Sequence, residues 1–122
     1  MDSFSFEDLN ACQYARALER NVYQLIEKFP SCEKIALADQ LRRSVISVPS
    51  NIAEGIGRMS YKEQLRFIEI SYGSLMEVLC QLQLAYDLQY ITVEKFYERR
   101  SHIQTTAKLI SGLHSSLLNT KH

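Results

Sequence analysis

Apolar side chains recur at helical spacing in four separate stretches of this sequence. In the first stretch the apolar positions are Leu18, Val22, Leu25 and Phe29, at intervals of four, three and four residues. Side chains at such intervals share one face of a helix. The same periodicity returns three times, with breaks of only a few residues between stretches. The predicted helices cover residues 6–29, 32–55, 61–88 and 92–118.

Polar residues and glycines at the breaks support these helix ends. Ser60 stands before the third stretch with Glu63 three residues on, which is a capping-box pattern. Thr92 stands before the fourth stretch and is a good helix N-cap. Gly55 and Gly57 follow the second stretch, and glycine is common where helices stop. We therefore expect helix ends at these residues.

The second helix contains a proline. Pro49 interrupts the helical stripe without changing its phase, so we expect one kinked helix. Ser47, Ser50 and Asn51 surround it and would satisfy backbone groups that the kink frees. The other interpretation of this polar stretch is a ligand site. Glu54 would cap the helix or pair across helices.

The third helix has a wider apolar surface than one packed side requires. Its main stripe is Leu65, Ile68, Tyr72, Leu75, Leu79, Leu82 and Tyr86. Further apolar residues off that stripe are Phe67, Ile70, Val78 and Leu84. Such width indicates burial on two sides, against the bundle and against another surface. Gly73, followed by Ser74, costs about 1 kcal/mol relative to alanine in mid-helix, which is reasonable if another helix passes close by.

Length and composition fit one helical domain. The 122 residues are 46% hydrophobic and 23% charged, which is typical of a globular protein. Four glycines and two prolines argue against a turn-rich β fold. Short links force neighbouring helices to run in opposite directions. The predicted fold is an all-α, antiparallel up-down four-helix bundle, as a single domain over residues 1–122.

The cysteines and the termini indicate a cytoplasmic protein. Cys12, Cys32 and Cys80 are odd in number and far apart, which disfavours a disulfide framework. The first residues lack the basic and apolar regions of a signal peptide. No apolar run approaches the roughly 20 residues that span a bilayer. We expect a cytoplasmic location and no membrane partner.

The sequence lacks the common arrangements of enzyme and metal sites. Neither His102 nor His114 follows a glutamate by three residues, as di-iron bundles require. Gly55 and Gly57 lack the strand and the lysine of a phosphate-binding loop. Cys80 lies in the apolar third helix and has no evident base, so a structural role is favoured. We predict no catalytic residue, no metal and no cofactor.

One local excess of positive charge stands out in a chain of zero net charge. Its members are Arg42, Arg43, Arg58, Lys62 and Arg66. Only Glu54 and Glu63 lie in the same segment, which gives five minus two, or +3. The last three cations are spaced by four residues and would share a helical face that could neutralise phosphates. The alternative is a solvated face with ion pairs along or between helices.

Several runs of the sequence resemble one protein family. The longest is QLRRSVISVPSNIAEG at residues 40–55, followed by GSLME at residues 73–77 and preceded by FEDL at residues 6–9. Together they resemble the four-helix-bundle proteins encoded within intervening sequences of bacterial 23S ribosomal RNA genes. Gln89 departs from the pattern, because the family often has glycine there. The runs contain residues expected to be structural, namely Pro49, Asn51, Glu54, Gly55, Gly73 and Ser74.

The resemblance implies a four-helix bundle that assembles as a ring-shaped homopentamer. A related protein is the accessory variability determinant of diversity-generating retroelements, which works beside a reverse transcriptase and binds nucleic acid. No enzymatic activity is established for the family. The leading hypothesis is a non-enzymatic homo-oligomer that binds RNA, DNA or a nucleic-acid enzyme as an accessory. The alternative is a structural scaffold that recruits a protein partner without binding nucleic acid.

Overall fold

The computed structural model describes residues 5–33 and 36–119. It confirms the all-α class with four helices, and the described ranges contain no strand. The helices are α1 (Asn10–Ile26), α2 (Leu37–Gly57), α3 (Tyr61–Asp87) and α4 (Val93–Asn119). Two 3-10 turns, Ser5–Asp8 and Ser31–Glu33, precede α1 and α2. These turns explain why both helices begin later than the periodicity predicted.

The capping residues predicted for α3 and α4 are confirmed. The Glu63 backbone N–H donates to Ser60 Oγ at 3.4 Å, and the Lys95 N–H donates to Thr92 Oγ1 at 3.2 Å. Each bond satisfies a donor that a helix start would otherwise leave free. α2 continues from Leu37 to Gly57 through Pro49, so the prediction of one helix across the proline is also confirmed.

All four helices contribute to one apolar core. Each helix packs mainly on two neighbours, in the cyclic order α1, α2, α3, α4. The largest fully buried side chains are Leu18, Val22, Ile26, Leu41, Val45, Val48, Ile52, Ile68, Leu75, Leu82, Ile103 and Ile110. Burial of this apolar surface is the main force that stabilises the fold.

Gly55 lets α2 approach α3 closely. A Cβ atom at Gly55 would lie 3.1 Å from the Gln64 carbonyl oxygen and 3.1 Å from Ile68 Cδ1. Gly55 is buried within α2, which ends two residues later at Gly57. No glycine among the described residues has a positive φ. The prediction that Gly55 stops the helix was therefore wrong, because the residue is needed for its lack of a side chain.

The C-terminal end of α3 forms a Schellman motif. The Gln89 N–H donates to the Tyr86 carbonyl, and the Tyr90 N–H donates to the Ala85 carbonyl, both at 2.9 Å. Gln89 adopts φ 65°, in the left-handed region that favours glycine. The structure thus gives a physical reason for the glycine that the resembled family often has at this position.

Candidate nucleic-acid interface

The five predicted nucleic-acid contacts fall into two separate groups. Arg42 and Arg43 lie in the first half of α2, whereas Arg58 follows its last residue. Arg58 lies sixteen positions after Arg42, which is about 24 Å along the helix direction at 1.5 Å per residue. Lys62 and Arg66 lie in the first turns of α3, near Arg58 in the chain. The five basic residues are close in the sequence, but they form two separate groups on the surface.

Arg58, Lys62, Arg66 and Phe67 form what we call the corner patch, where α2 gives way to α3. The Arg58 guanidinium carbon lies 4.7 Å from the centroid of the Phe67 ring, and that of Arg66 lies 5.6 Å from the same centroid. Both distances suit cation–π attraction. Arg58 lies outside α3, so the predicted helical face shared by all three cations was wrong. The aromatic ring nevertheless brings the two arginines together.

Two carboxylates moderate the charge of the corner patch. Arg58 Nη2 lies 2.7 Å from Glu54 Oε2, and Arg66 Nη1 lies 3.4 Å from Glu63 Oε1. Lys62 is exposed and has no ion pair within the described chain. Both ion pairs are at the surface, where such pairs contribute about 0–1 kcal/mol. A phosphate could therefore compete with either glutamate at little cost.

The interaction of Glu54 differs from the prediction. It neither caps α2 nor pairs across helices, because its carboxylate meets Arg58 four residues further along the same chain. Arg58 in turn has its carbonyl bound by the Gln64 side chain, whose Nε2 donates at 2.8 Å. These two contacts hold the connection between α2 and α3. Met59 lies in this connection, and its side chain is fully exposed.

Arg42 and Arg43 have different surroundings. Arg42 Nη1 lies 3.4 Å from Asp39 Oδ1, one turn back on α2. Arg43 lines a shallow cavity of about 220 Å³ between α2 and α3, together with Ser74 and Glu77. Nothing in the described chain joins this pair to the corner patch. Arg42 and Arg43 could therefore contact a nucleic acid only as a second point of attachment.

A ladder of small polar side chains joins α2 to α3 near Pro49. Asn51 Nδ2 donates to both the carbonyl and the hydroxyl oxygen of Ser47, each at 2.8 Å. The Ser47 hydroxyl lies 2.8 Å from that of Ser74 on α3. The buried Ser71 hydroxyl donates to the Val48 carbonyl at 2.7 Å. These bonds fix the register of the two helices.

The ladder departs from the role predicted for the polar stretch. The carbonyl that loses its donor to Pro49 is that of Val45, four residues back. The side-chain bonds instead reach the carbonyls of Ser47 and Val48. Ser50 is exposed and takes no part in them. The polar side chains near the proline therefore connect two helices rather than repair the backbone of one.

The exposed side of α3 carries a second notable surface, which we call the outer stripe. It consists of Ile70, Gly73, Glu77, Cys80 and Leu84, all exposed and spaced by three or four residues. Ile70 and Leu84 are 39% and 47% exposed. A Cβ atom at Gly73 would meet nothing within 4 Å, so no helix of the same chain passes it. Cys80, expected within the apolar interior, is exposed here.

A cavity of about 270 Å³ lies between α3 and α4. His114 Nε2 lies 2.8 Å from Glu69 Oε2 at its edge, and Tyr72 and Ser111 also line it. No hydrogen bond joins Ser111 to His114 in the described structure, so no activated hydroxyl is formed. Tyr72, predicted on the buried stripe, is 39% exposed. The pair of His114 and Glu69 links two helices.

The described residues contain neither a cluster of metal ligands nor a membrane-spanning helix. No group of three or more His, Cys, Asp or Glu side chains among them could hold a metal ion. Within the same residues, every helix is too short or too polar to cross a membrane.

Comparisons with known proteins identify the family. None of the curated proteins compared with the chain matches it. Among solved structures, the chain is similar to a protein of unknown function from the S23 ribosomal protein family of Bacteroides thetaiotaomicron VPI-5482. That likeness has a TM-score of 0.79 at 18% identity and covers 85% of this chain and 97% of the other, which supports the fold. The family model described as 23S rRNA-intervening sequence protein matches residues 7–112. The chain therefore belongs to the 23S rRNA-intervening sequence protein family.

Proposed function

We propose that this chain is a non-enzymatic, cytoplasmic accessory protein that binds RNA or DNA as a homo-oligomer. The observation that carries the proposal is the corner patch, where Arg58 and Arg66 meet over the Phe67 ring beside the exposed Lys62. Guanidinium groups suit phosphate recognition because their planar donors match two phosphate oxygens. The ring restricts both side chains, so less conformational entropy is lost on binding.

An antiparallel bundle is part of the proposal. Residue numbers rise along α2 as they fall along α3 in the contacts between them, for Ser47 meets Ser74 and Gly55 approaches Gln64. The same relation holds between α3 and α4, where Glu69 meets His114 and the Tyr86 ring stacks on Phe96. These contacts support opposite directions for neighbouring helices, as short connections require.

The assembly would form through the outer stripe. Isolated exposed apolar residues are ordinary on a protein surface, whereas Ile70, Cys80 and Leu84 share one exposed face of α3, which favours a partner there. Gly73 in the middle of that face would allow a second helix to approach closely. We commit to a second copy of this chain as the partner, in the ring-shaped pentamer that the family resemblance implies.

The mechanism would be electrostatic and multivalent. The three cations of one corner patch and the two carboxylates paired with them have a net charge of +1. A charge this small is insufficient for tight binding by one copy. Several copies in one assembly would act on the same nucleic acid, and linked weak sites gain affinity without new contacts. Release of counterions from the phosphates would supply the driving force.

A salt titration of nucleic-acid affinity tests this proposal. Fluorescence anisotropy with structured RNA and with duplex DNA would compare the wild type with an Arg58→Gln/Lys62→Gln/Arg66→Gln variant. Loss of three phosphate contacts per engaged copy should reduce the slope of log affinity against log salt by about 2 to 3 for each copy. A matched control removes three exposed cations elsewhere, at Arg16, Arg20 and Lys108. Equal slopes for all three proteins would overturn the proposal.

A second function, that of a scaffold for a protein partner such as a nucleic-acid enzyme, would follow if the outer stripe bound another protein in place of a second copy. Leu84→Glu tests the stripe, because an exposed charge there leaves the core intact. Light scattering should show a multiple of the 14.1 kDa chain for the wild type and a smaller species for the variant. A wild-type monomer would contradict the oligomer. An oligomer whose nucleic-acid affinity is unchanged by the corner-patch substitutions would favour the scaffold.

A further inference from the structure

Three cations, two on α4 and one just after α1, converge on a cleft that the corner patch does not include. This anion cleft lies between the last turn of α1 and the first turns of α4, with a volume of about 140 Å³. Its lining residues are Asn21, Gln24, Leu25, Lys28, Lys95 and Arg99. Five of the six have polar or charged side chains, and the three charged ones are all positive. Like charges brought together in this way repel one another.

The charges of the anion cleft are poorly balanced by the protein itself. Lys28 and Lys95 have no ion pair with any described carboxylate within 4.0 Å. Arg99 Nη2 lies 3.2 Å from Glu98 Oε2, and its side chain is only 17% exposed. The Arg99 Nε atom is buried and has no hydrogen-bond partner in the described structure. Buried donors without partners are rare, because each loses its hydration.

The size and donors of the anion cleft select a class of ligand. Pockets for drug-sized ligands measure about 300–1,000 Å³. A cleft of about 140 Å³ is too small for these but suits a single tetrahedral oxyanion. The amides of Asn21 and Gln24 add donors to the three cations. A phosphate monoester carries about −1.5 to −2 charges and three acceptor oxygens, which match this set of donors.

We propose that the anion cleft binds a phosphate group, as inorganic phosphate or as the terminal phosphate of a nucleotide. The guanidinium of Arg99 is the fixed element, because its side chain is largely buried. Lys28, two residues after the end of α1, and Lys95 on α4 would contact the anion from opposite sides of the cleft. Binding would remove the repulsion among the three cations and thereby join the two helices more firmly. The site is independent of the nucleic-acid interface, since it shares no residue with the corner patch.

Thermal stability in inorganic phosphate tests the proposal directly. A ligand that binds only the folded protein raises the melting temperature, by about 6 °C at a tenfold excess over its dissociation constant for a chain of this length. The comparison solution is sodium chloride at the same ionic strength. Because phosphate also stabilises proteins by exclusion from their surface, the deciding quantity is the difference between the wild type and a variant.

The variant is Lys28→Gln/Lys95→Gln, and its matched control is Arg16→Gln/Lys108→Gln, which also removes two exposed cations but none of the corner patch. We expect a saturable phosphate-dependent shift in the wild type and control, and loss of at least two-thirds of it in the cleft variant. Isothermal titration should show binding weakened at least fivefold. Equal shifts in all three proteins, or no shift beyond that in chloride, would overturn the proposal.

A second titration separates the two sources of phosphate. Adenosine 5′-monophosphate should bind the wild type, whereas adenosine should not, because the anion cleft has room for the phosphate alone. Tighter binding of the nucleotide than of inorganic phosphate would identify a nucleotide end as the ligand. Binding of adenosine that equals binding of its monophosphate would contradict the assignment. The corner-patch variant should retain phosphate binding, so failure of the nucleic-acid proposal would be recognised separately.

Discussion

Gly55→Ala should destabilise this protein, although alanine is the better helix former. The added Cβ would lie 3.1 Å from the Gln64 carbonyl oxygen, 3.1 Å from Ile68 Cδ1 and 3.2 Å from Phe67 Cβ. All three atoms belong to α3, and two of them, the Gln64 oxygen and Phe67 Cβ, are fixed by its backbone and cannot turn away. Overpacking of this kind costs about 1–3 kcal/mol. Replacing a helical glycine returns about 1 kcal/mol, so the free energy of unfolding should fall by about 1 kcal/mol.

Two other glycines provide matched controls. Gly73 and Gly112 are also helical, but a Cβ at either would meet nothing within 4 Å. Alanine at Gly112 should therefore raise the free energy of unfolding by about 1 kcal/mol, and alanine at Gly73 should do the same in the single chain, where no second copy covers the outer stripe. The gap between Gly55→Ala and these controls is then about 2 kcal/mol, which corresponds to about 8 °C in melting temperature for 122 residues.

Urea denaturation at one fixed protein concentration would measure all three variants. A fixed concentration matters because any assembly would contribute to apparent stability. An unchanged slope against urea would indicate that the folded state remains compact. If Gly55→Ala matches the wild type or exceeds it, the argument for close approach of α2 and α3 fails. If Gly73→Ala loses stability or assembly while Gly112→Ala gains it, a second chain must cover the outer stripe.

Three further predictions concern single contacts. Gln89→Gly should raise the free energy of unfolding by about 0.5–1 kcal/mol in urea, because relief of the left-handed strain exceeds the entropy cost of glycine. Ser71→Ala should lower it by about 1 kcal/mol through loss of the bond to the Val48 carbonyl, and a neutral result would mean that the polar ladder does not stabilise the fold. Burial lowers the pKa of His102 below 6.5, partly opposed by its bond to the Tyr14 carbonyl. The unfolded chain therefore binds a proton at this histidine more readily than the folded chain does. The melting temperature should fall as the pH drops from 6.5 to the lower pKa of the folded protein, and His102→Gln should make that fall smaller.

Most of the fold follows from local patterns in the sequence. The spacing of apolar residues predicted four helices, and Ser60 and Thr92 predicted two of their starts, since a cap depends on residues only three apart. The roles of Gly55 and Gln89 could not be predicted in this way. Gly55 is set by the distance to another helix, and Gln89 replaces the residue type that would have marked a left-handed turn.

The candidate sites also depend on distances between helices, which local sequence patterns do not give. The predicted cluster of cations was defined by neighbourhood in the chain, but a helix separates such neighbours at about 1.5 Å per residue. Arg42 therefore stands far from Arg58, which meets Arg66 only because a turn and Phe67 bring them together.

The anion cleft is the opposite case. Lys28 and Lys95 are remote in the sequence, and neither belongs to a run of basic residues. They line one cleft because α1 packs on α4. The net charge does not reveal such a site, because it is a sum over the whole chain. A phosphate, in contrast, responds mainly to charges within about 8–10 Å. A chain of zero net charge can thus hold two separate places for phosphate, and in an oligomer each would be repeated with every copy.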